Sequence, residues 1–329
     1  MRCDRLPILE GAHHRRIAGG GRGWVTCGPM CIVFVAVCRH PKFPVIVAAN
    51  RDEFVTRETE RCQRWASLPA VLAGRDSVAG GTWMGVNVED GRWASLVNVA
   101  PPIGLPVDAA APSRGLLAQQ YLAGPPVSPA TFAERMGRDP CVERMAGHSL
   151  VVGDACGRMA YYCNRHCGKG DAVRWRDCTS GIYAFSNDCI SSQQDSCWTK
   201  ANRGKAQMAD VVANAVDKES LEVGLFRMLR DTHKQVKYAA RYGWQPGGER
   251  SGRTFECYAA AHPERPEIPI FVTPPALYRT RCSTLLLIDT QQNIHYVETS
   301  HDDGSQPSHV PGTRTFFYGT RDASVSSRL

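Results

Sequence analysis

From Cys31 to Cys38 the chain runs CIVFVAVC, unbroken, apolar and rich in β-branched residues, and a second such run spans Val45 to Ala49. Runs of this kind mark strands buried on both faces, because neither face has to meet water. Between them, His40-Pro41-Lys42-Phe43-Pro44 is turn material, so the two runs read as an antiparallel hairpin. The rest of the chain is arranged around this pair. Its second strand closes in a dense charged cluster, Asn50-Arg51-Asp52-Glu53, and its first opens on Met30-Cys31.

Further hairpins follow. Ala70 to Gly74 reads as a short strand, and residues 57–68 as polar and irregular. Two short strands flank the Asp90-Gly91 turn, the strongest local hairpin signal present. His148 to Asp154 and Arg158 to Asn164 pair through Ala155-Cys156-Gly157, and Ile182 to Ser186 is a short strand. Cys282 to Asp289 and Ile294 to Thr299 form another hairpin, and Thr313 to Tyr318 closes the set. Helices are expected from Arg114 to about Leu122, from Pro129 (capped by Ser128) to about Met136, and over 204–231 with a break near Asp217 to Ser220. Residues 232–275, rich in Pro, Gly and charge, read as a long excursion. Hairpins with helices gathered in the middle indicate an α+β layered fold of antiparallel sheets, not alternating βαβ units.

The 329 residues suffice for a core without staples. Residues 1–29 have no periodic apolar face, carry five arginines and read as a disordered arm or a non-native extension, with initiation at Met30. Residues 30–320 read as a single domain and 321–329 as a tail. The net charge of +7 is diffuse beyond the arm, with no basic block interleaved with aromatics, so nucleic acid is not an expected partner. No stretch approaches the roughly 20 apolar residues of a membrane span, and no secretory signal is visible. The fourteen cysteines therefore read as reduced, mostly buried thiols of an intracellular protein. Cys163-Asn164-Arg165-His166-Cys167 comes closest to a metal box but lacks a second pair, so no metal site is expected. GxGxxG and P-loop motifs are absent, no Cys-x-x-Cys-His haem site occurs and the ten histidines are scattered; no cofactor is assigned. The sequence fixes no oligomeric state.

Cys31 is the residue most able to carry chemistry. A thiol is nucleophilic with a tunable pKa, and on a first residue the α-amine (pKa about 7.7–8.0) can serve as its base. Otherwise Cys31 is a small buried hydrophobe. On a strand Asn50 and Asp52 share one face and Arg51 and Glu53 the other. Asp52 is then placed to orient the amine and Arg51 to hold an anionic group; the alternative is a surface turn with an internal ion pair. Asn98 and Asn187 end strands, where an amide with nearby N–H groups makes either an oxyanion hole or a turn cap. Arg281 has a fixed charge that binds carboxylate or phosphate bidentately, or merely flanks a strand.

Taken together, MCIVF, AANRDEF, GGTWMGV, SLVNV, AFSND, CWTK (197–200) and YRTRCSTLLLIDTQQNIHYVETS (278–300) resemble the NRDE family over about 30–319. Members normally begin with Met-Cys, which supports initiation at Met30. The resemblance implies a cytoplasmic protein, Golgi- or mitochondria-associated, linked to Golgi organisation and secretion, with lipid or haem as further associations. A more distant similarity is to cysteine-type N-terminal-nucleophile hydrolases, which implies a layered αββα sandwich and cleavage of a small amide after removal of Met30. In that order Cys31, Asp52, Asn98 and Asn187 take catalytic places, while Arg51, Asn50 and Arg281 bind substrate. Arg and Asp are separated in those hydrolases but adjacent here, and Arg279 stands where NRDE proteins commonly have glycine. The other reading is a non-catalytic factor binding a hydrophobic ligand, lipid or haem, on the same fold.

Overall fold

The computed structural model describes residues 31–99, 111–164, 175–186, 199–233, 269–273, 278–301 and 312–319. Asn187, Met30, the arm 1–29, the tail 321–329 and most of the 232–275 excursion lie outside them. The opening runs pair as expected: β1 (Ile32–Val37) lies antiparallel to β2 (Val45–Phe54), with Ile32 opposite Asn50. The second sheet begins immediately afterwards with β3 (Thr59–Trp65), β4 (Leu68–Asp76), β5 (Met84–Asn87) and β6 (Trp93–Asn98). It continues with β7 (His148–Gly153), β8 (Met159–Cys163) and β9 (Trp175–Cys178), each strand paired with the next. The chain then returns to the first sheet through β10 (Gly181–Phe185), β11 (Tyr278–Ile288), β12 (Ile294–Ser300) and β13 (Gly312–Tyr318). That sheet has the order β10-β1-β2-β11-β12-β13, so the opening hairpin is central, not peripheral. Both sheets are antiparallel throughout, and the fold is α+β.

Side-chain alternation divides the interior into three apolar clusters. Val33, Val35, Val45 and Val47 of the first sheet meet Leu72, Met84, Trp93 and Val151 of the second. The opposite face of the first sheet, with Ile32, Phe34, Ile46 and Leu285, is covered by α4 (Thr199–Asn214) and α5 (Lys218–Leu229). The opposite face of the second, with Ala73, Leu96 and Leu150, is covered by α1 (Gly115–Ala123), α2 (Pro129–Arg138) and α3 (Pro140–Arg144). Each fully buried Phe or Leu on these faces contributes about 1.5–3 kcal/mol. Contact is close where α4 crosses β1: a Cβ on Gly204 would stand 2.2 Å from a ring carbon of Phe34. A Cβ on Gly81 would stand 2.4 Å from the Gly115 carbonyl carbon, which accounts for small residues ahead of Thr82-Trp83.

Local signals explain the helix ends. Ser128 accepts the Thr131 N–H, with Pro129 at the first helical position. The expected break before α5 is a capping box, in which Asp217 accepts the Ser220 N–H while Ser220 accepts the Asp217 N–H. Three elements depart from the sequence reading. Residues 59–65 form β3, an edge strand with only Cys62 and Trp65 buried, so its sequence lacks a continuous apolar face. The four residues of β9 and five of α3 are too short for periodicity to register. Cys141 departs from the all-thiol expectation because it is disulfide-bonded. Among the described free cysteines Cys31, Cys62, Cys163, Cys178 and Cys282 are buried, whereas Cys38 and Cys156 are exposed. No described helix is long and apolar enough to cross a membrane.

Candidate functional site

The charged end of β2 lies where three strands run side by side. Carrying the β1–β2 register one residue past Ile32–Asn50 brings Cys31 beside Arg51, and β11 pairs Cys282 with Arg51 from the other side. Residues directly opposite in an antiparallel pair share a face. Cys31, Arg51 and Cys282 thus form a row facing the second sheet, and Cys31 packs in the cluster between the sheets.

The expected alternation along Asn50-Arg51-Asp52-Glu53 holds. Arg51 points toward the second sheet, its guanidinium 4.2 Å from the Trp83 ring centroid and donating to Thr59 Oγ1 at 3.0 Å. Glu53 lies on the same side, 3.8 Å from Arg51 and 3.9 Å from Arg57. Asp52 faces the helices, where its Oδ1 accepts from Thr280 Oγ1 at 2.6 Å. Its Oδ2 is buried and has no hydrogen-bond partner. Burial pushes the Asp52 carboxyl from 3.8 up to about 7, against the opposing charge of Lys200, which is itself buried in the first turn of α4.

Cys31 is held from several directions. Its thiol donates to the Asp52 carbonyl at 3.7 Å, a carbonyl that also accepts from the Tyr278 hydroxyl at 2.8 Å. Ser186, at the end of β10, donates to the Cys31 carbonyl. Burial first, and the Asp52 charge second, push the thiol from 9.0 up to about 12. At pH 8 the thiol therefore stays protonated and a poor nucleophile. Iodoacetamide treatment of the intact chain at that pH is expected to label Cys38 and Cys156 and to spare Cys31, read by peptide mass spectrometry. Labelling of Cys31 at a comparable rate would show that the thiol is not held in this state.

The remaining expected site residues divide. Asn50 departs from the substrate-binding expectation, since it is buried and both of its amide N–H groups are taken up within the protein. Its Nδ2 donates to the carbonyls of Leu229 (2.8 Å) and Ile270 (2.9 Å), and its Oδ1 accepts from Ser283 at 2.6 Å. Leu229 is the last residue of α5, so Asn50 caps that helix end from the sheet beneath. Asn98 ends β6 opposite His148, on the face of Ala94 and Leu96 that packs against the helices. Val97 and Val99, not Asn98, share the cluster of Cys31, so alternation turns Asn98 away from the thiol. Asn187 lies outside the described residues. Arg281 is the extra residue of a β-bulge between the Thr280–Asp52 and Cys282–Arg51 pairs. It is 4% exposed and donates to the carbonyls of Phe54 (2.8 Å) and Arg57 (3.2 Å).

Four residues at the site went unread in the sequence: Lys200, Thr280, Trp83 and Glu298. A lysine in a helix's first turn opposes the helix dipole, and Lys200 carries that signal within the CWTK segment. Glu298 is buried, accepts the Cys62 N–H at 2.7 Å and is raised by burial, with Arg61, Arg51 and Arg314 opposing. A chamber of about 20 Å³ is lined by Arg51, Trp83, Cys282, Glu298 and Ser300, and adjoins a cleft of about 400 Å³ along β3. Cys31 lines neither. No group of three or more His, Cys, Asp or Glu able to hold a metal ion occurs among the described residues.

The end of β2 that organises this site lies within the span over which the chain matches known proteins. It is 27% identical over 287 residues to the human Transport and Golgi organization protein 2 homolog, covering 83% of this chain and 94% of that protein. To the Bos taurus homolog it is 26% identical over 289 residues (82% and 93%), and to the Drosophila melanogaster Transport and Golgi organization protein 2 it is 25% identical over 291 residues (82% and 91%). The family model Transport and Golgi organisation 2 matches residues 30–303, from the residue before Cys31 to just past β12, and the chain belongs to that family.

Proposed function

We propose that this chain serves in transport and Golgi organisation, as its relatives' names indicate, through latent amide-hydrolase chemistry at Cys31. The observation that carries the reading is the buried, unpartnered Oδ2 of Asp52, next to the residue paired with Cys31. In a chain beginning at Cys31, the ammonium formed when the α-amine takes a proton supplies the donor that this Oδ2 lacks and adds to the opposing charge of Lys200. The amine takes the thiol proton, and Sγ attacks the carbonyl carbon of a C–N amide. The C–N bond breaks, the proton passes to the departing amine, and water hydrolyses the thioester to release the acid. Arg51, locked over Trp83, stabilises negative charge developing beside the thiol. Helices outside two facing sheets also agree with the layering of N-terminal-nucleophile hydrolases.

With residues still attached before Cys31 there is no free amine and the thiol stays near 12, so the chemistry is conditional on the mature N-terminus. Intact-mass measurement of the protein isolated from cells tests this. A chain starting at Cys31 that reacts with a thiol-directed acyl probe, and loses that reaction in Cys31→Ser, is the expected result. A mature chain that retains residues ahead of Cys31 rules the mechanism out.

A second reading, a non-catalytic carrier of a hydrophobic ligand, is favoured by the fact that neither cavity reaches Cys31. Haem does not fit these cavities. The wall of the larger cleft has no His, Cys, Met or Tyr to ligate iron, and the chamber that holds Cys282 has room for about one water. On this carrier reading, Cys31→Ala leaves function intact.

A further inference from the structure

We infer that Cys38 and Cys156 are a redox pair, which closes into a disulfide between the two sheets by exchange with a low-molecular-weight disulfide. Both are free and exposed, each in the turn of a hairpin. Cys38 lies between β1 and β2 of the first sheet, and Cys156 between β7 and β8 of the second. The two turns touch. A Cβ on Gly157 would stand 2.8 Å from Cys38 Sγ and 3.4 Å from the Pro44 carbonyl oxygen. Gly157, at φ 80°, thus has no side chain just where the Cys38 sulfur comes against it. Cys156 is the neighbouring residue, one Cα–Cα step of about 3.8 Å away.

Each thiol reaches across from its own sheet to the other. The Cys38 sulfur lies against the β7–β8 turn, while the Cys156 sulfur accepts from Gln292 Nε2 at 3.9 Å, in the β11–β12 turn of the first sheet. That turn is tied to the Cys38 hairpin, since the Thr290 N–H donates to the Lys42 carbonyl at 3.0 Å. The main chain is pinned on both sides. The Cys38 N–H donates to the Pro44 carbonyl at 2.8 Å, and the Cys38 carbonyl accepts from Ser180 Oγ at 3.2 Å. The Cys156 N–H donates to Asp154 Oδ1 at 3.0 Å. The backbones therefore hold the two residues near each other and leave side-chain rotation to bring sulfur to sulfur. Cys38 also sits at φ 51°, a left-handed conformation uncommon for any residue with a Cβ and enriched at functional positions.

In the exchange, one of the two cysteines loses its proton to solvent, and its thiolate attacks a sulfur of the small disulfide and expels the other sulfur as a thiolate. The second cysteine, deprotonated in turn, attacks the protein sulfur of this mixed disulfide and expels the remaining small thiolate. Two protein thiols have then lost two electrons and two protons, and one small disulfide has become two thiols. The new bond closes a loop of about 120 residues, which restrains the unfolded chain and fastens one sheet to the other. An exposed disulfide is readily reduced, so the step is reversible. The pair lies beyond the opposite end of β1 from Cys31, roughly 20 Å away, and the inference does not rest on the proposed hydrolase reading.

The test is incubation of the full chain with oxidised glutathione, followed by peptide mass spectrometry without reduction and by thermal unfolding. A peptide pair joined through Cys38 and Cys156 of one chain is expected, with Tm raised by roughly 5 °C over the untreated chain. Excess reduced glutathione is expected to reopen the bond. Cys38→Ser and Cys156→Ser change exposed side chains, so both variants should fold. Each is expected to lose the link and the Tm shift and to carry glutathione on the cysteine that remains. Glutathione held separately by both cysteines of one chain, a link from either to another cysteine or to a second chain, or no reaction at either overturns the inference. So does a link that leaves Tm unchanged, or a Tm shift that persists in the serine variants.

Discussion

Asn50→Ala is expected to cost about 3–5 kcal/mol of stability, the largest loss from a single polar truncation at this site. The change removes three buried hydrogen bonds and strands the Leu229 and Ile270 carbonyls without their side-chain donor. Each unmet buried polar group costs about 1–3 kcal/mol, and neighbouring losses are not simply additive. Asn50→Asp separates this structural role from ligand binding. It keeps nearly the same shape and can still accept from Ser283, yet it aims a carboxylate at two carbonyls, so near neutral pH it should be at least as damaging as alanine. Urea unfolding followed by circular dichroism measures both. If both variants fall within about 1 kcal/mol of the parent while ligand affinity drops, Asn50 is a binding residue after all.

The contrast between Asn50 and Asp52 shows what the sequence made legible. Their common face followed from strand alternation, and the structure keeps them on it. Their different fates depended on partners more than 140 residues away: Leu229, Ile270 and Ser283 for one, Thr280 and Lys200 for the other. Local pattern carries no information on such distant contacts. The β1–β2 and β11–β12 hairpins were readable because turn and apolar runs lie close together in the chain. The contacts between β3 and β13, in which Arg61 donates to the Gly312 carbonyl and Arg314 to the Cys62 carbonyl, were not, since β3 buries too little to show an apolar rhythm and its partner follows some 250 residues later. Asn98 shows the same limit: a strand-end position left it open between an oxyanion donor and a turn cap, and one residue of register gives the inter-sheet positions to Val97 and Val99.

Replacing Asp52 with asparagine is expected to remove a pH-dependent penalty of up to about 4 kcal/mol. The direction follows from the raised pKa. The folded protein keeps a proton on Asp52 up to about 7, whereas the unfolded chain releases it near 3.8. Between those values the native state binds more protons, so this group lowers stability as pH rises from about 4 to about 7 and has no further effect above that. The penalty is absent below the window and complete above it. Asparagine does not ionise, so Asp52→Asn should gain on the parent steadily from pH 4 to 7 and hold a constant advantage at pH 8. Glu298 is raised in the same direction but is present in both proteins, so their difference isolates Asp52. A difference that stays flat across the window would mean that Asp52 is already ionised when folded. The same measurement on a chain beginning at Cys31 probes the site's chemistry. If the α-ammonium lies against Oδ2, it draws the Asp52 pKa back down and the slope between pH 4 and 7 shrinks. If the slope persists in that chain, the ammonium lies elsewhere and Asp52 does not position it.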